Sequence, residues 1–145
     1  MLKSLLREAG LIPDRAFIED AYFYLALVAG FLVLVFFLLL NIPSGSVSTE
    51  IPMIISLLLW KPLIEEVLFR GIIQGQITKI KWGRLNWHHM SVANLITSCI
   101  FVVAHFIYQT HLWALAVFVP SLIFGYFRYQ YGHIYPSLIL HSVYN

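Results

Sequence analysis

The chain has 145 residues, 60% of them hydrophobic and only 11% charged, with a formal net charge of +2. That balance excludes an ordinary soluble globular domain. The small, dispersed charge, with no basic run interleaved with aromatics, also excludes a nucleic-acid surface. The expected architecture is an all-α, multi-pass membrane bundle of about five segments with a short N-terminal interfacial helix. It forms a single domain over residues 1–145, with 1–20 as the cytoplasmic or interfacial segment and 21–145 as the bundle.

In residues 1–20, Leu2, Leu5 and Leu6 fall at helical spacing beside charged positions, which suits a short helix on a membrane surface; a solvated tail is the alternative. Residues 21–40 carry no charge over the length that crosses a hydrocarbon core, and they read as a permanent anchor rather than a signal peptide. A polar linker, residues 41–50, leads to a second segment, 51–77, that contains Lys61, Pro62, Glu65, Glu66 and Arg70. Pro62 is expected to kink it, because proline removes a backbone donor and crowds the preceding turn. Further segments are read at 91–108, 112–127 and 135–145, the last short for a crossing and opening with Pro136 in its first turn.

Lys and Arg cluster in alternate loops. Lys3, Arg7 and Arg15 precede the first segment, Lys79, Lys81 and Arg84 follow the second, and Arg128 precedes the fifth. This alternation places the N-terminus in the cytoplasm, with Trp82, Trp87, Tyr126, Tyr129, Tyr131 and Tyr135 as an aromatic belt on that side. Cys99 is the only cysteine, so an intrachain disulfide is excluded and apolar packing is its default role.

The polar residues inside these segments are costly to bury and so point to function. By helical rise, Glu65 lies roughly 18 Å from the cytoplasmic end of its segment and His105 roughly 21 Å, while His141 and Asn145 lie roughly 9 and 15 Å along theirs. Glu66 and Arg70, at i and i+4, suit an ion pair, and Glu65 is turned about 100° away from it. His141 and Asn145, also at i and i+4, are able to donate hydrogen bonds toward one point. His105 adds an imidazole able to orient or deprotonate water. Together they contain the parts of a hydrolytic site: a carboxylate base, a histidine and two oxyanion donors.

Glu65-Glu66-Val67-Leu68-Phe69-Arg70 matches an EExxxR pattern, Phe101-Val102-Val103-Ala104-His105 an FxxxH pattern, and His141-Ser142-Val143-Tyr144-Asn145 an HxxxN pattern. In that order, on separate apolar segments, these resemble the signature of the CPBP intramembrane glutamic proteases. That family includes CAAX prenyl-protein endopeptidases and bacterial relatives tied to bacteriocin self-immunity or to tail-based protein sorting. The resemblance covers residues 60–145. It implies that Glu65 and His105 activate the attacking water, that His141 and Asn145 form the oxyanion hole, and that Glu66 and Arg70 hold the site together. It further implies a substrate anchored in the lipid bilayer and bearing a C-terminal sorting or CAAX-like tail, with no cofactor; the small size and the charge pattern favour a bacterial inner membrane.

Two other readings stay open. Glu65, His105 and His141 could ligate zinc with an open position for water, although no HExxH helix is present. A non-enzymatic immunity or scaffold protein, or a proton-coupled carrier, would also use intramembrane carboxylates and histidines. Solvated surface roles are expected for His88 and His89 in the basic loop and His111 in an outer loop, and His133 is placed at the inner interface. Phe101 is expected to pack.

Overall fold

The computed structural model describes residues 1–40, 50–108 and 113–145. Most of the polar linker at 41–50, together with His111, lies outside the described residues. A short helix, α1 (Leu2–Glu8), and a 3₁₀ turn (Ala16–Glu19) lead into α2 (Ala21–Leu39), whose first turn is capped by the Asp20 carboxylate accepting from the Tyr22 N–H. Helical backbone then runs unbroken over residues 51–79, passing through α3 (Ile51–Ile55), a π-helical turn (Ser56–Trp60), α4 (Lys61–Glu66), a longer π-helical stretch (Val67–Gln74) and α5 (Gly75–Lys79). The disturbance expected at Pro62 takes this form: just before it, the ladder widens from α to π spacing.

A 3₁₀ turn (Trp82–Arg84) and a two-stranded antiparallel hairpin follow, with β1 (Asn86–Trp87) pairing β2 (Met90–Ser91) through Asn86 with Ser91 and Trp87 with Met90. His88 and His89 make its two-residue turn with φ of 45° and 67°. A tight hairpin turn demands such values, although neither residue is glycine. The remaining helices are α6 (Val92–Tyr108), α7 (Trp113–Ala116), α8 (Phe118–Tyr131) and α9 (Tyr135–Tyr144). Gly132 closes α8 in the left-handed region, at φ 71°.

The all-α class is as expected, and the helices track the predicted segments closely. The span expected at 112–127 is divided between α7 and α8 at Val117. Among the described residues no helix is long and apolar enough to cross a membrane. The nearest is α2, whose 19 residues rise ~28 Å, against a hydrocarbon core of ~30 Å. The others are shorter or, over residues 51–79, interrupted by charge.

Helix α8 is central, packing on α6 and α9, while α2 covers α9. Two glycines allow close approach between helices. A Cβ at Gly125 would collide with the Asn94 carboxamide, and one at Gly30 with the Tyr144 ring. Across these seams Asn94 Nδ2 donates to the Leu122 carbonyl at 2.9 Å, Ser137 Oγ to that of Phe124 at 2.7 Å, and the Tyr144 hydroxyl to that of Ala26 at 2.7 Å. Phe17, Phe23, Phe124, Phe127 and Leu140 form the apolar core between them.

Three surface expectations change. The N-terminal segment is docked, not trailing: Phe17 enters the core, the Gly10 carbonyl accepts from Ile134 N–H at 3.0 Å, and the Leu11 carbonyl accepts from the Tyr135 hydroxyl at 3.2 Å. His133 is only 2% exposed, among the rings of Phe17, Tyr131 and Tyr135, because the turn after α8 folds it beneath that docked segment. Cys99, by contrast, is exposed on α6, since the faces carrying Asn94, Thr97, Ser98 and Phe101 are the ones packed inward.

Candidate active site

The site begins with two consecutive carboxylates at the end of α4. Glu66 and Arg70 are both fully buried and their charged groups meet at 3.5 Å, Arg70 Nε to Glu66 Oε2. Such a pair is costly to bury, and its remaining valences are met only in part, Arg70 Nη1 and Glu66 Oε2 making no hydrogen bond. Arg70 Nη2 donates to Ser121 Oγ of α8 at 2.7 Å, and the guanidinium lies over the Phe101 ring of α6, 5.4 Å from its centroid. One turn further along, Gln74 Nε2 donates to the Gly125 carbonyl at 2.8 Å, so both α8 partners stand four residues apart on one face.

His141, near the end of α9, joins the two glutamates. Its Nδ1 lies 2.9 Å from Glu66 Oε1 and its Nε2 3.4 Å from Glu65 Oε2. The imidazole plane is held by Phe124, stacked at 5.0 Å with 21° between rings, and flanked by Phe101 at 6.0 Å. Glu65 differs from its neighbour in that its side chain is 18% exposed and meets His141 only at the longer ion-pair distance, while the Oε2 of each glutamate makes no hydrogen bond.

His105 reaches this group through Phe101. The two rings are 4.3 Å apart, and the Phe101 carbonyl lies 2.9 Å from His105 Nδ1. A carbonyl only accepts, so Nδ1 carries the proton in that bond and Nε2 is left as an acceptor. Asn145 meets the glutamate-bearing helix about two turns before Glu65, where its Nδ2 donates to the Leu57 carbonyl at 3.1 Å.

The structure thus joins Glu65, Glu66, Arg70 and His141 by direct contact, places His105 one aromatic ring away, and sets Asn145 against the same helix at Leu57. Among the described residues, no group of three or more His, Cys, Asp and Glu is placed to hold a metal ion, and the zinc set of Glu65, His105 and His141 is not gathered at one point. Ser121 and Phe124 were not singled out from the sequence. Their available signal was slight: a lone hydroxyl four residues before a glycine in an apolar segment, and an aromatic among many.

The family model described as type II CAAX prenyl endopeptidase Rce1-like matches residues 46–145, which include every residue of this site. No curated protein and no solved structure matches the chain.

Proposed function

The chain belongs to the Rce1-like family of type II CAAX prenyl endopeptidases, and from that membership we propose that it is an intramembrane endopeptidase removing a short sorting or CAAX-like tail from the C-terminus of a membrane-anchored protein. The observation that carries the reading is the difference between the two glutamates. Glu66 is fully buried and committed to Arg70 and His141, whereas Glu65 is part-exposed and meets the same imidazole only at the longer 3.4 Å. Adjacent carboxylates with divergent surroundings are how one site holds both a structural charge and a base.

In the proposed reaction a water held between Glu65 and the Nε2 side of His105 attacks the scissile carbonyl as its proton passes to Glu65. The carbonyl oxygen takes up the negative charge, toward which His141 and Asn145 donate. The C–N bond then breaks, and Glu65 returns the proton to the departing amine. Glu66 and Arg70 act through His141 as positioning groups. Lipid is the proposed surrounding of α2, where Leu25, Phe31, Leu32 and Leu34 are each more than half exposed, an apolar surface too large for water. The alternation of loop charges supports a cytoplasmic N-terminus in this reading.

The test is direct. Purified protein in lipid vesicles receives an anchored peptide with a C-terminal tail, and mass spectrometry reads the products. A single internal cut that persists in strong chelator supports the proposal; an intact peptide contradicts it, and loss of cleavage in chelator contradicts the metal-free chemistry.

A further inference from the structure

The bond between Asn145 and Leu57 has a cause in the backbone. In the π-helical turn over Ser56–Trp60, the Lys61 N–H bonds the Ser56 carbonyl, five residues back. That donor is therefore not given to Leu57, the acceptor it would serve in an α-helix. In the π pattern the next donor, from residue 62, belongs to Leu57, but residue 62 is Pro and has no N–H. Leu57 is left without either intrahelical donor, so its carbonyl is open to a donor from outside the helix. The Asn145 carboxamide meets it at 3.1 Å.

We propose that Pro62 is a positioning residue: it strips the Leu57 carbonyl of its helical donor and so creates the acceptor that docks and orients Asn145. A carboxamide has two N–H bonds. Leu57 takes one and thereby fixes the amide plane, leaving the second to point away from the helix toward a reacting oxyanion. This catalytic consequence rests on the endopeptidase reading, while the docking itself does not. It also accounts for a proline in the turn just before Glu65, where the ring is itself fully buried.

The experiment is a double-mutant cycle of Pro62→Ala and Asn145→Ala in the full chain in detergent, read by apparent Tm. In the proline protein Asn145→Ala lowers Tm by roughly 2–4 °C, the shift of one lost hydrogen bond in a chain of this size. In the Pro62→Ala background, where residue 62 supplies the missing N–H, the drop shrinks to a small fraction of that. Equal drops in both backgrounds overturn the proposal. Asn145→Asp provides a second arm independent of Pro62→Ala folding. Ionised at about pH 8 it keeps the shape but cannot donate, so it must lose at least as much as Asn145→Ala; retention of the parent Tm overturns the docking. With a cleavable substrate, Pro62→Ala lowers kcat roughly tenfold with KM unchanged, as for an interaction made only in the transition state. A coupled Tm with unaltered kcat overturns the catalytic consequence alone, and absence of any parent cleavage is a failure of the endopeptidase reading, not of the docking.

Discussion

His141 Nδ1 stands 2.9 Å from Glu66 Oε1, so the buried carboxylate that neutralises Arg70 also orients the imidazole of α9. Through this one residue the helix bearing the glutamates and the helix bearing the last motif share a charge network. Both Glu66 and Arg70 are fully buried, and removing one leaves the other uncompensated.

Glu66→Leu is accordingly expected to destabilise by ~3–5 kcal/mol, and Arg70→Met by a similar amount. The double variant Glu66→Leu/Arg70→Met is expected to cost less than either single one, because no charge is then stranded. Thermal unfolding in detergent checks this; a double variant as unstable as the sum of the singles would show that the pair is not a coupled unit.

Arg128 clamps the N-terminal segment to the same helix. Its Nε donates to the Arg70 carbonyl and its Nη2 to that of Glu8, both at 3.0 Å. Arg128→Gln is expected to lose charge-assisted bonds worth ~1.5–3 kcal/mol each and to expose residues 9–15 to limited proteolysis. Lys79→Ala, which removes an ion pair to Glu8 whose side chains are 49% and 48% exposed, is expected to change stability by less than ~1 kcal/mol. Equal protease resistance of Arg128→Gln and the parent would refute the clamp.

These contacts also show what could be read from the residues alone. The Glu66–Arg70 pair was legible because i and i+4 share a helix face whatever surrounds them. Helical rise gave heights for Glu65, His105 and His141 but no azimuth, so the bridging of two carboxylates by His141 could not be seen. Nor could Arg128, whose bonds run to backbone carbonyls 58 and 120 residues away and leave no periodic trace. Proline spacing announced a disturbance near Pro62, but whether a helix answers with a kink or a π turn depends on what fills the vacant acceptor. Cys99 was misplaced because an apolar segment looks the same on its packed and outward faces.

His133 is expected to make the fold sensitive to acid. Burial pushes its imidazole below the ordinary value of 6.5, with Asp14 opposing and Arg128 adding to the depression. A histidine held neutral in the fold but protonated in the unfolded chain contributes stability that is fully present above pH 6.5 and is lost as pH falls below it. Apparent Tm is therefore expected to fall between pH 7 and about pH 5, and His133→Phe to flatten that part of the profile. A parent and variant with parallel profiles would remove His133 as the cause.

The account turns on Glu65 as the base, and single-turnover cleavage of a tail-bearing, vesicle-anchored peptide by Glu65→Gln measures this most directly. The substitution keeps size and shape while abolishing proton acceptance. A loss of at least ~100-fold in the cleavage rate is predicted, at unchanged substrate binding and apparent Tm, the lower bound for removing a general base. A rate within a few-fold of the parent would contradict the assignment of Glu65 and, with it, the division of labour between the two glutamates.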